Sequence, residues 1–206
     1  MMSFHVRMCI VILVSCLMIS VSGSRNTLTT RYNKAFGEVE AIHEKIRVRD
    51  QIAYNQLQVE LDSISSDWDE LNDDYEETSE AIIRNIDDFL TAYVPNYKAA
   101  EDGSVGQRYL AAIKVLIQLQ TKADIMTHSS SHPSNLPTAI ESLETNLDYI
   151  MLSTFCTSKK LELENLWSDL DSNFEAKGQE LVNALKGLTL RYLYVANDGF
   201  YDSDSD

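Results

Sequence analysis

Glu40 and His43 stand three residues apart, the spacing at which a helix turns a carboxylate and an imidazole toward one metal. Di-metal helix bundles need two such elements and two further carboxylates, and no second Glu-x-x-His occurs in this chain. His43 therefore reads as an ordinary polar-face or boundary residue. His128 and His132 have i,i+4 spacing, but they flank a serine run next to Pro133, with no third strong ligand close by. Cys156 has no neighbouring histidine to activate it. There is no Gly-x-Ser-x-Gly, His-Glu-x-x-His, phosphate loop or dinucleotide fingerprint. These residues predict a protein that is not an enzyme and takes no metal or cofactor.

The acids are the other chemically loaded group. Glu60–Asp88 holds twelve Asp/Glu and one Arg, whereas Ser24–Arg49 holds six Lys/Arg against three Glu. The stretch Asp67–Glu80 lacks the glycine and alternating ligands of a calcium loop, and its apolar residues keep helix phase. It reads as a solvated helix face, or as an electronegative ridge for a basic partner. The tail is the sharper local signal: Phe200 and Tyr201 sit among Asp198, Asp202, Asp204 and Asp206. Such a tail can dock on a basic exosite, and those of some thrombin inhibitors are similar in composition. Tyr201 is a candidate for sulfation and Ser203 for acid-directed phosphorylation. With four acids, no Lys or Arg and two aromatics, residues 197–206 are expected to be disordered.

Residues 1–23 read as a secretory signal peptide. Arg7 supplies the positive start, Met8–Ile19 an uncharged apolar core, and Val21-Ser22-Gly23 a small-residue cleavage pattern. That core is too short for a bilayer, which needs roughly 20 apolar residues. The remaining chain, about 183 residues, is expected to be secreted and extracellular, with no integral membrane segment. Losing Arg7 leaves 16 basic against 32 acidic residues, a net charge of −16, which disfavours nucleic acid and anionic lipid head groups. Cys9 and Cys16 leave with the signal, so no intrachain disulfide can form. Cys156 is expected to be buried beside Leu152, Thr154 and Phe155; an intermolecular disulfide is the alternative.

The elements that carry these residues are helices. No Gly or Pro occurs in the 57 residues between Gly37 and Pro95. Apolar residues recur there every three or four positions: Tyr32, Ala35, Val39, Ile42 and Ile46, then Tyr54, Leu57, Leu61, Ile64, Trp68, Leu71 and onward. The two runs are offset by one residue, a slip that a long straight helix can absorb. One helix over 28–93 is therefore expected, in preference to a hairpin turning at Ser63–Ser66. A second helix is expected over 105–128. A third, over 136–195, carries Leu136, Ile140, Leu143, Leu147, Ile150, Thr154 and Leu161, extended by Leu163, Trp167, Leu170 and Phe174. Gly178 and Gly187 are candidate bend points in it. The expected core includes Ile42, Leu61, Trp68, Ile82, Phe89, Leu116, Leu143, Leu147, Leu170 and Leu181.

The fold expected is an all-α, elongated, disulfide-free antiparallel bundle of long amphipathic helices, a single domain over 24–196. A secreted binding or structural protein acting through long helix surfaces fits it, with an unknown and basic extracellular protein as partner and room for an oligomer. The alternatives are a lipid or apolar-ligand carrier of the exchangeable-apolipoprotein type, and an extracellular inhibitor docking its tail. Against the carrier, the strongly acidic faces lack the flanking lysines of a lipid interface.

Overall fold

The computed structural model describes residues 4–128 and 136–197, with side-chain detail over 25–127 and 147–197. Four helices account for nearly all of it: α1 (Phe4–Arg47), α2 (Gln51–Tyr93), α3 (Val105–His128) and α4 (Leu136–Asn197). No strand occurs among the described residues. The all-α, disulfide-free bundle expected from the periodicity is what forms. α1 is helical straight through the expected cleavage point at Gly23/Ser24.

The expected single helix over 28–93 is overturned. α1 stops at Arg47, where the amides of Arg49 and Asp50 both donate to the Ile46 carbonyl. Asp50 then caps α2, its Oδ1 accepting from the amides of Ile52 and Ala53 at 2.9 Å each. The turn falls at the one-residue slip in the apolar pattern. Ser63–Ser66, the alternative break, is continuous helix, because Leu61, Ile64, Trp68 and Leu71 all face inward.

The helices gather into two compact units. One holds Ser20–Glu76 and the chain from Asp171 onward. There α2 runs antiparallel to α4: Tyr75 Oη donates to Asp171 at 2.8 Å, and Arg191 reaches Glu60 at 2.8 Å. α1 runs parallel to α4, since Arg31 bonds Gln179 and Arg49 bonds the Ala196 carbonyl. The centre is aromatic: Trp68 stacks on Tyr32 at 3.9 Å and meets Phe174 at 5.9 Å. Gly178 lies under this stack. A Cβ there would come within 2.5 Å of Leu28 and 3.2 Å of Trp68, so the glycine lets three helices approach closely.

The other unit holds Met1–Ile19 and Glu77–Leu170. Ile86, Leu90, Ile113, Leu116, Leu163 and Trp167 are among its buried residues. α4 is antiparallel to α2 through Asn85–Glu162, and to α3 through Gln120–Thr157 and Tyr109–Trp167. α2 and α3 must then be parallel, and Arg108 of α3 pairs with Glu80 of α2 in that register. Parallel neighbours require the connection to return the length of the shared contact. Residues 94–104 do so, and eleven residues reach roughly 36 Å when extended. Asn96 turns it with φ 61°, and Tyr97 Oη holds it to Asp87 at 2.5 Å. Ser104 and Gln107 close a reciprocal cap at the start of α3.

The expected core is right at Ile42, Leu61, Trp68, Ile82, Leu116 and Leu170, and wrong at three positions. Phe89 is half-buried while Leu90 is fully buried, and Leu181 gives way to Val182. In each pair the stripe continues one residue later. Leu147 is 57% exposed. The side chain of Leu143 lies outside the described residues.

Candidate interaction surfaces

The residues singled out for chemistry are scattered. Glu40 is exposed while His43 is buried, so they do not converge on one ligand. His43 is not a polar-face residue: it lies beneath the α1–α2 turn, stacked 4.0 Å from the Tyr54 ring. Its Nε2 is 3.2 Å from the Tyr54 carbonyl, which can only accept, so Nε2 carries the proton. The imidazole ties the first turn of α2 to α1. The side chains of His128 and His132 lie outside the described residues. Among the described residues no group of three or more His, Cys, Asp or Glu is arranged to hold a metal ion.

Cys156 is fully buried and free. Burial pushes its thiol up to about 11, with Asp124 adding in the same direction. The neighbours that suggested burial are themselves outside the core: Phe155 is 44% exposed and Thr154 is exposed. On a helix, adjacent residues point 100° apart, so an inward Cys156 turns both away.

Several polar groups inside the units serve the fold. Arg25 lies over the Tyr75 ring at 4.6 Å, donates to Asn72 at 3.2 Å and pairs with Glu76. Burial, and then the bond to Asp171, hold the Tyr75 hydroxyl above its usual range. Tyr32 is pushed up to about 12, by burial first and then by Asp69. Nε of Arg108 and the indole N–H of Trp167 are buried with no hydrogen-bond partner among the described residues.

Among the described residues, apolar side chains stand outward at Val48, Ile52 and Val59 and at Leu190, Leu193 and Tyr194, and two longer outward faces lie between these positions in sequence. On α2, Asp67, Asp69, Glu70, Asp73 and Asp74 are all exposed, around the inward Trp68, Leu71 and Tyr75. On α4, Leu147, Ile150, Met151 and Leu161 are 51–59% exposed. Leu147 belongs to the expected core, and the structure turns it outward together with Ile150, Thr154 and Leu161 of the same run. The overlooked signal is the step from Leu161 to Leu163. Two residues are 200° of helix, so the second stripe cannot lie on the face of the first. Leu163 is fully buried.

The tail residues proposed for docking or modification, Phe200, Tyr201, Asp202, Ser203, Asp204 and Asp206, lie outside the described residues. Among the described residues no helix is long and apolar enough to cross a membrane. No family model, no curated protein and no solved structure matches this chain.

Proposed function

We propose that this is a secreted, non-enzymatic binding or structural protein that works through the outer faces of its long helices, with a basic extracellular protein as partner. The observation that supports it is the exposed acidic face of α2. Five carboxylates within eight residues, Asp67–Asp74, point away from a core that the same helix builds with Leu61, Trp68 and Tyr75. Their summed field draws a cationic surface from several ångströms away and fades with salt. The acidic tail adds charge of the same sign at the end of α4.

Affinity capture from the native extracellular fluid tests this reading. The wild-type chain is compared with one carrying Asp67→Asn, Asp69→Asn, Glu70→Gln, Asp73→Asn and Asp74→Asn. The wild type should retain a basic protein that elutes as salt rises, and the neutralised chain should not. Deleting Gly199–Asp206 separates the tail's share: lost binding with an unchanged melting temperature would assign the docking to the tail. Clearing of phospholipid vesicles in place of protein capture would favour a lipid carrier.

A further inference from the structure

We infer that the outward stripe of α4 from Leu147 to Leu161 is a self-association surface, on which a second copy of this chain packs antiparallel. The inference rests on the helix-surface reading above and names one such surface and its occupant.

The stripe's shape selects a helix as partner. Leu147, Ile150, Thr154 and Leu161 recur at intervals of three, four and seven, the 3.5-residue repeat that keeps a seam against a facing helix. A bilayer would call for a broad apolar face bordered by basic residues. Leu147, Ile150, Met151 and Leu161 together leave on the order of 400 Å² of apolar side chain uncovered. Two copies burying it together remove on the order of 800 Å², the size of a weak, reversible interface.

Charge selects a second copy. The chain has a net charge of −15, yet the ten residues from Tyr149 to Ser158 include no charged side chain. Two strongly acidic molecules can meet there with little repulsion. Charge also sets the direction. Asp148 precedes this neutral stretch, and Lys159 and Lys160 follow it. An antiparallel pair sets Asp148 of one copy near Lys159 and Lys160 of the other, and a parallel pair sets Asp148 against Asp148. Lys159 and Lys160 already pair with Glu162 and Glu164 on α4, so they act at the rim, on orientation more than on strength.

Sedimentation of the purified secreted chain, residues 24–206, across concentrations tests the proposal. The wild type should pass from monomer to dimer. Leu161→Glu, changed on both copies at once, should weaken association by on the order of 100-fold, with helicity and melting temperature unchanged. Thr154→Cys, at the middle of the stripe, should oxidise to a covalent dimer, and Leu147→Cys should not. A chain that stays monomeric to about 100 µM overturns the proposal. So does a dimer indifferent to Leu161→Glu, or vesicle binding that the same substitution abolishes. Bridging through Leu147→Cys overturns the antiparallel arrangement. Capture of a basic partner that survives Leu161→Glu, in a chain that never dimerises, would sink this inference and leave the function proposed above standing.

Discussion

The apolar register slips twice along this chain, once between Ile46 and Tyr54 and once between Leu161 and Leu163, and the two slips end differently. At the first, the helix stops and reverses. At the second, α4 continues and one of its two stripes is left facing outward. The difference lies in the local chemistry. Asp50 offers a carboxylate that satisfies two orphan amides of the next helix, so stopping costs little. Lys159-Lys160-Leu161-Glu162-Leu163-Glu164 offers no cap and only good helix formers, and its i,i+3 and i,i+4 ion pairs favour continuation. A register slip with a cap makes a turn; without one it makes a helix with two faces.

The largest expected contrast is between two leucines two residues apart. Leu163→Ala should cost about 2–5 kcal/mol, because the side chain is fully buried and leaves a cavity. Leu161→Ala should stay within about 0.5 kcal/mol in the monomer, being 59% exposed. Denaturant melts of both variants check this, and equal losses would mean that the two stripes share one face.

Cysteine reactivity maps the same stretch of α4. With its thiol held near about 11, Cys156 at pH 8 should carry roughly 100-fold less thiolate than an ordinary cysteine near 9. Phe155→Cys, one residue away and 44% exposed in the native chain, should react at an ordinary rate. The folded value lies above the unfolded one. The thiol's contribution to stability is therefore complete below about pH 9 and is lost as pH rises toward 11. Thiol-reagent kinetics at pH 8 separate the two positions.

At the first slip the effect is smaller. Asp50→Ala should lower stability by about 1 kcal/mol through loss of the cap. Ser66→Ala, in the middle of an uninterrupted helix, should be neutral or slightly stabilising. The reverse order in thermal melts would place the turn at Ser63–Ser66 instead.

The two glycines of α4 give the finest test of which face is which. A Cβ at Gly187 meets nothing within 4 Å, so Gly187→Ala should stabilise by roughly 0.5–1 kcal/mol. Gly178→Ala meets Leu28 and Trp68 and should forfeit that gain, with a net loss in the same melts.

Much of the fold was legible because helix periodicity is local. Trp68, Leu71 and Trp167 could be placed inside from spacing alone, and 105–128 is bounded by loop chemistry on both sides. Phe89 and Leu181 were misplaced by one residue for the same reason: a stripe several residues wide does not say which of two adjacent apolar residues sits at its centre. His43 was misread because its burial depends on the Tyr54 ring and carbonyl across the turn, a contact that exists only after α1 and α2 reverse. The acidic face of α2 was legible from composition. The apolar face of α4 was not, because a continuous 3–4 spacing looks alike whether the helix buries it or leaves it uncovered.

By itself the sequence determined that the chain is helical, that residues 24–206 hold one cysteine and so no disulfide among themselves, and roughly where each helix runs. Those follow from propensity, punctuation and periodicity, which act within a few residues. Only the tertiary structure decided that the first long run reverses at Val48–Asp50. It alone decided that Gly178 is a point of close approach while Gly187 is open, and that Leu147–Leu161 faces outward while Leu163 faces in. Each of these depends on which surfaces meet. A helix with two apolar stripes can bury either one, and the choice falls to the helices that pack against it.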